Sequence, residues 1–435
     1  MSLKKLTVVA ALCAACSQAH AVTEIQWWHA LTGALNDKVN ELATKFNASQ
    51  TDYKVVPVFK GSYDETLASG IAAYRAGNAP HILQVFEVGT ATMMNAKGAI
   101  RSVSSVMKDA GEPFDAGSYI PAVAGYYTSA KGEMLSFPFN SSTTVFFYNK
   151  DAFKNAGLDE NKPPKTWPEV FDAARKLKDK GGKCAYTTDW QAWIHLESFS
   201  AWHNTLFATK DNGFGGTDAR LVFNSPLHVQ HITNLQKLLQ DGMFSYGGRK
   251  AEPVAKFYTG ECAMFTGSSA TLANIRKNAT FRFGVSTLPY YPEVKGAPQN
   301  TIIGGASLWV MNGRKAEEYK GVAKFFNFLS RTEIQADWHQ ATGYLPVTMG
   351  AYELTKASGY YEKNPGADVS VQQMVVKTTA KSRGVRLGNL PQIRTIIDEE
   401  LEAVWAGKKT PKDALDTAVA RGNEQLARFQ KTVRE

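Results

Sequence analysis

The feature that most constrains this chain is the alternation of short apolar runs with amphipathic segments behind its N-terminus. Residues 25–28 form an apolar strand-like run. Leu35, Val39, Leu42 and Phe46 then recur at spacings of four, three and four, which is one face of a helix. A second strand at 55–59, a second amphipathic helix at 63–76 closed by Gly77-Asn78, and a third strand at 82–86 follow. Strands separated by such helices predict parallel βαβ units and an α/β sheet. Open sheets of this kind take ligands beyond the carboxyl ends of their strands. Glu87, directly after the third strand, stands at such an end.

The alternation restarts after Tyr148. Thr166 and Pro168 mark a helix start, and the helix runs to about Lys180 before Gly181-Gly182. A strand at 184–187, an aromatic-rich helical stretch at 190–202, an amphipathic helix at 229–239, a strand entered through Gly260-Glu261 and a helix at 270–277 follow. From Pro391 onward the pattern is helical, with Ile393, Ile396, Ile397, Leu401 and Val404 on one side. Two α/β halves are therefore expected, as suits 435 residues, too many for one ordinary core. No internal repeat or low-complexity linker separates them.

Residues 1–21 differ in kind: Lys4-Lys5, an apolar run over 6–15, and Ala19-His20-Ala21 read as an export signal cleaved after Ala21. Cys16 offers a competing lipid-carrying N-terminus, but the position three residues upstream is Cys13 where a leucine is expected. Cleavage lowers the formal net charge from +9 to +7. A modest positive excess suits an anionic ligand, and equally suits solubility alone. The absence of a run of five Lys/Arg argues against nucleic acid. Cys184 and Cys262 survive processing. In an oxidising compartment they can pair, or each can be a small buried residue.

Sequence signals for catalysis are missing. There is no G-x-S-x-G, Walker A, G-x-G-x-x-G or H-E-x-x-H motif. His228 and His231 have a spacing that suits zinc, but no third ligand sits nearby, so two surface histidines are expected. Asp398-Glu399-Glu400 reads as a solvated helix face. What recurs instead is a small-polar turn at strand ends: Asn140-Ser141-Ser142-Thr143, Gly267-Ser268-Ser269 and Gly304-Gly305-Ala306-Ser307. Glycine admits close backbone approach, and hydroxyls with free N–H groups bind anions or polyols. An arginine such as Arg394 would complete a phosphate site.

Several stretches carry a family resemblance. Ile25-Gln26-Trp27-Trp28-His29-Ala30, Tyr148-Asn149-Lys150-Asp151, Pro163-Pro164-Lys165-Thr166-Trp167 and Trp338-His339-Gln340-Ala341-Thr342-Gly343-Tyr344-Leu345-Pro346 resemble the family-1 extracellular solute-binding proteins of ABC importers. Lys60-Gly61-Ser62-Tyr63, Gln84-Val85-Phe86-Glu87, Pro138-Phe139-Asn140-Ser141-Ser142, Ile302-Ile303-Gly304-Gly305-Ala306-Ser307 and Pro391-Gln392-Ile393-Arg394 are similar to members that take glycerol phosphate esters. The likeness spans the mature chain. The segment 378–385 is one residue shorter than the family pattern.

The resemblance implies a two-lobed, hinge-bending periplasmic binding protein fold of type II, with ligand in the cleft between lobes. It implies a first lobe from 22–140 plus 289–340, a second from 141–288 plus 345–435, and crossings near 139–145, 285–289 and 341–345. Position by position it implies ligand contacts at Tyr63, Glu87, Ser142, Ser268, Gly305, Tyr344 and Arg394. Tyr63 and Glu87 would hold glycerol hydroxyls, while Ser142, Ser268, Tyr344 and Arg394 would take phosphate. The hydroxyl run 141–144 would meet that ligand at the cleft mouth. The implied role is periplasmic capture of sn-glycerol 3-phosphate or glycerophosphocholine by a monomer without cofactor or metal, and delivery to an inner-membrane permease with a cytoplasmic ATPase. A receptor for a neutral oligosaccharide and an exported phosphodiesterase are the alternatives.

Overall fold

The computed structural model describes residues 22–376 and 378–434; the export signal and Cys16 lie outside these residues. The strands are β1 (Thr23–His29), β2 (Tyr53–Phe59), β3 (Ile82–Phe86), β4 (Ile100–Arg101), β5 (Phe137–Asn149), β6 (Cys184–Thr188), β7 (Cys262–Ser268), β8 (Phe283–Ser286) and β9 (Ile303–Met311). The expected strand–helix alternation is present in both halves. β1 pairs parallel with β2 and β3, across helices Gly33–Ser49 and Tyr63–Arg75. Local chemistry explains the helix starts. Ser62 with Glu65, and Thr166 with Glu169, form capping boxes that satisfy otherwise orphan N–H groups.

The sheet order is β2-β1-β3-β9-β5-β7-β6, with β4 on β9 and β8 on β5. β5 joins two ladders. Its residues from Phe137 to Thr143 pair antiparallel with β9, and those from Thr144 onward pair with β7 and β8. The fold is therefore two-lobed: β1–β4, β9 and the front of β5 carry the first lobe, and β6–β8 with the back of β5 carry the second. The changeover falls inside the run of four hydroxyl residues.

That run does less ligand-facing work than the sequence reading expects. Ser141, Ser142, Thr143 and Thr144 are all buried, and only Ser142 lines the cavity described below. Thr143 pins the crossing: its hydroxyl donates to the Ile302 carbonyl at 2.8 Å and lies 2.6 Å from Thr301 Oγ1. Leu345 N donates to the Ser141 carbonyl at 2.8 Å, and Gln373 Nε2 to that of Thr144 at 2.9 Å. A strand passing between two cores has backbone groups that no single sheet satisfies, and these bonds satisfy them.

Two further expectations change. His228 and His231 are fully buried rather than on the surface. Each is tied to neighbours: His228 Nε2 lies 2.8 Å from Ser200 Oγ, and His231 Nε2 lies 3.0 Å from His195 Nδ1. Asp398 and Glu400 are also buried. Glu400 pairs with Lys409 and Arg421 at 2.5 and 2.9 Å, and burial pushes the Asp398 carboxyl up to about 7. Cys184 and Cys262 occupy paired positions on β6 and β7, their Cα atoms 4.4 Å apart, and form a disulfide. Among the described residues no helix is long and apolar enough to cross a membrane, and no group of three His, Cys, Asp or Glu side chains is placed to hold a metal.

Candidate functional site

A cavity of about 510 Å³ lies between the ladders. Tyr63 and Glu87 reach it from the first lobe, Ser268 and Arg394 from the second. Ser142, Gly305 and Tyr344 reach it from β5, β9 and the turn after helix Thr332–Thr342. All seven side chains or backbones singled out in the sequence thus share one cavity, although they span residues 63 to 394.

Each is held from behind. Tyr63 begins a helix and stacks on Phe86, ring centroids 5.4 Å apart; its hydroxyl accepts from Asn140 Nδ2 at 2.9 Å. Asn140 Oδ1 in turn accepts from Gln84 Nε2 at 2.9 Å. Tyr344 stacks on Trp338 at 5.7 Å. Burial raises both tyrosine hydroxyls above their ordinary value, so both remain neutral donors. Ser268 ends β7, and its Oγ accepts from Ala270 N at 3.2 Å. Gly305 has φ +81°, and a Cβ there would sit 1.9 Å from the Asn140 carbonyl oxygen, so only glycine fits between the strands.

Arg394 is already engaged by two carboxyls in this structure. It lies on helix Leu390–Trp405, and its Nε and Nη2 donate to the two oxygens of Glu197 at 2.6 and 2.8 Å. Nη2 also donates to Glu87 Oε1 at 2.6 Å. One guanidinium from the second lobe therefore joins a carboxyl of its own lobe to a carboxyl of the other. Burial opposes the charge on Arg394, but Glu197 and Glu87 more than offset it and hold the group protonated. Burial pushes the Glu87 carboxyl upward, against the pull of Arg394 and reinforced by Glu197. Two carboxyls around the guanidinium offset its charge, and Lys250, the other cation that lines the cavity, is paired with Asp64.

Sequence reasoning offers the tryptophans as walls for a hydroxylated ligand without singling out Trp190 and Trp193, and it misses Glu197. Both tryptophans line the cavity. Trp190 follows β6 by two residues, so the strand-end rule that picked out Glu87 also reaches it. Trp193 packs its ring where a Cβ on Gly304 would be, 2.4 Å away, which is why that glycine has no side chain. The aromatic-rich stretch is helical as expected, and within it Trp193–Ser198 is a π-helical turn, a wider turn often found at functional sites. Glu197 sits in it, 2 % exposed. No sequence signal marks that register.

Residues 41–368 match the family model described as bacterial extracellular solute-binding protein. The chain is 59% identical over 416 residues, 95% of each sequence, to the sn-glycerol-3-phosphate-binding periplasmic protein UgpB of Salmonella paratyphi A. Among solved structures it is similar to UgpB from Mycobacterium tuberculosis in complex with glycerophosphocholine, with TM-score 0.77, 22% identity, and coverage of 94% of this chain and 100% of that one. It is also similar to maltose-bound MalE3 of T. maritima, with TM-score 0.73, 17% identity, and coverage of 92% and 99%. At these identities the structures bear on the fold alone.

Proposed function

Because the chain belongs to the bacterial extracellular solute-binding protein family, we propose that it is the periplasmic receptor of an ABC importer. It captures sn-glycerol 3-phosphate, glycerophosphocholine or both and delivers them to the membrane permease. The observation that carries this reading is the convergence of all seven resemblance-derived positions on one interlobe cavity. The whole-length likeness to a protein named for binding sn-glycerol 3-phosphate supports it.

The charges in the cavity suggest how the ester lies. The phosphate goes to the neutral donors: the hydroxyls of Tyr63, Tyr344, Ser142 and Ser268, beside the glycine-opened backbone at Gly305. The glycerol hydroxyls go to Glu87 and Arg394, which offer an acceptor beside a donor. Arg394 thus trades the phosphate for the polyol end, because the two carboxyls beside it would repel a phosphate. Ligand contacts from both lobes favour the closed arrangement, a population shift set by differential affinity. The chemistry is capture and release: the cavity surrounds the ligand with hydrogen-bonding groups, and no covalent step is required.

Thermal-shift and calorimetric titration with glycerol 3-phosphate, glycerophosphocholine, inorganic phosphate and maltose test the reading. The two esters raise the melting temperature by mass action, and maltose does not. Stabilisation by maltose without a response to either ester overturns it. Free choline released on incubation with glycerophosphocholine would turn the protein into a phosphodiesterase.

A further inference from the structure

Glu197 does not line the cavity, yet it makes the most complete contact with the one guanidinium that does. It takes the Nε and one Nη2 hydrogen of Arg394 in a two-point fork, a geometry that fixes the plane of the group as well as its position. Glu87 Oε1 takes Nη2 as well. Nη1 donates to no group among the described residues. Behind the fork, the Tyr126 hydroxyl lies 2.6 Å from the Val385 carbonyl and 3.0 Å from the backbone carbonyl of Glu87, so it packs against the Glu87 main chain.

An arginine without Glu197 would keep only its bond to Glu87, leaving four of its five donors and more of its charge for the phosphate of an ester. With Glu197 the fork edge is used up and the charge is matched. What faces the cavity is a donor next to an acceptor. An alcohol both donates and accepts and suits that pair, whereas a phosphate oxygen only accepts. We propose that Glu197 is a positioning residue that sets specificity, holding Arg394 against Glu87 so that the pair reads the glycerol hydroxyls and leaves the phosphate to the neutral donors. This rests on the receptor reading given above.

The test is the ratio of affinities for glycerol 3-phosphate and methyl phosphate, which carries the phosphate without the diol. Calorimetry on the full mature protein gives the ratio, and a melting curve accompanies each variant. In wild type, glycerol 3-phosphate is strongly preferred. In Glu197→Gln the ratio falls at least tenfold, with methyl phosphate bound as well as before or better, because the freed guanidinium turns to phosphate. An unchanged ratio overturns the inference, as does an equal loss for both ligands, which is what a merely structural role gives. If Glu197→Gln melts more than about 10 °C below wild type, Glu197→Asp is judged by the same criterion. Wild type that binds neither glycerol 3-phosphate nor glycerophosphocholine overturns the receptor reading and this inference with it. Wild type that binds, alongside a variant with an unchanged ratio, overturns the inference alone.

Discussion

The interiors of the two lobes are built from different materials. The first lobe closes on aromatic packing. Trp27 meets Phe139 and Phe325 at 5.3 and 5.5 Å, and Phe137 stacks on Phe326 at 4.6 Å. The second lobe buries a chain of polar rings. Thr266 Oγ1 lies 2.5 Å from Tyr186 Oη, which lies 3.2 Å from His195; His195 lies 3.0 Å from His231, and His231 lies 3.3 Å from Tyr291 Oη. His203 and His228 pack on the same Phe199 ring as His231. The first lobe holds buried histidines too, His29, His81 and His339, but they sit apart on separate elements. Scattered histidines respond to acid singly. The contiguous network must accept charge as a group, because each protonated ring repels the next.

Acid gives the largest expected effect. Burial lowers His195 and His228 to about 3 and His203 to about 4, and burial with the neighbouring histidines holds His231 well below its ordinary value. A folded pKa below the unfolded one means that the unfolded chain binds protons first. Stability is therefore full above about pH 6.5 and is lost as pH falls toward the folded values. Each such histidine costs about 2 kcal/mol between pH 6.5 and 5, and the network several kcal/mol together. The melting temperature falls steeply from pH 7 to 5, and second-lobe amides lose exchange protection first. His231→Phe lowers stability at pH 7, since His195 and Tyr291 lose a partner, but flattens the slope. A melting temperature that is level between pH 7 and 5 would remove the proposed contrast between the lobes.

The disulfide comes next, and it too belongs to one lobe. Cys184 and Cys262 are 78 residues apart, so the bond closes a long loop in the unfolded chain. Replacing both cysteines by serine costs roughly 2–5 kcal/mol, read by urea titration. The ligand affinity of the folded protein stays the same, because neither cysteine lines the cavity. An equal loss of protection in both lobes would show that they unfold as one unit.

These contrasts bear on what the sequence made legible. Strand–helix order, the helix start at Thr166 and the position of Glu87 all follow from local patterns, and local patterns are what a sequence displays. His228 and His231 defeat that approach: on an isolated amphipathic helix they look solvent-facing, and only packing against Trp167, Phe199 and His195 removes them from water. Glu400 fails for the same reason, because Lys409 and Arg421 make its burial tolerable. Local patterns mark Glu87 and the small-polar turns one by one, but family likeness assembles the seven cavity positions into one set, since nothing local brings Arg394 to Glu87 across 307 residues. Glu197 was invisible, because its placement depends on a π-turn register that composition does not encode.

The smallest effect concerns an exposed ion pair between the lobes at the rim of the cavity. Lys250, in the loop before Pro253, reaches Asp64 in the first turn of the helix opposite. The two side chains are 40% and 47% exposed, so water and salt screen them. Such a pair contributes about 0.2–1 kcal/mol. It forms only when the lobes approach, so that energy appears as a bias toward closure and not as stability of either lobe. Lys250→Met should therefore leave the urea midpoint unchanged and weaken ester binding at most about fivefold at low salt. The difference should vanish near 0.5 M salt, about where the screening length becomes comparable to the contact itself. A loss of affinity that persists at high salt would mean that Lys250 contacts the ligand directly, and the cavity it lines would then need a cation among its ligand groups.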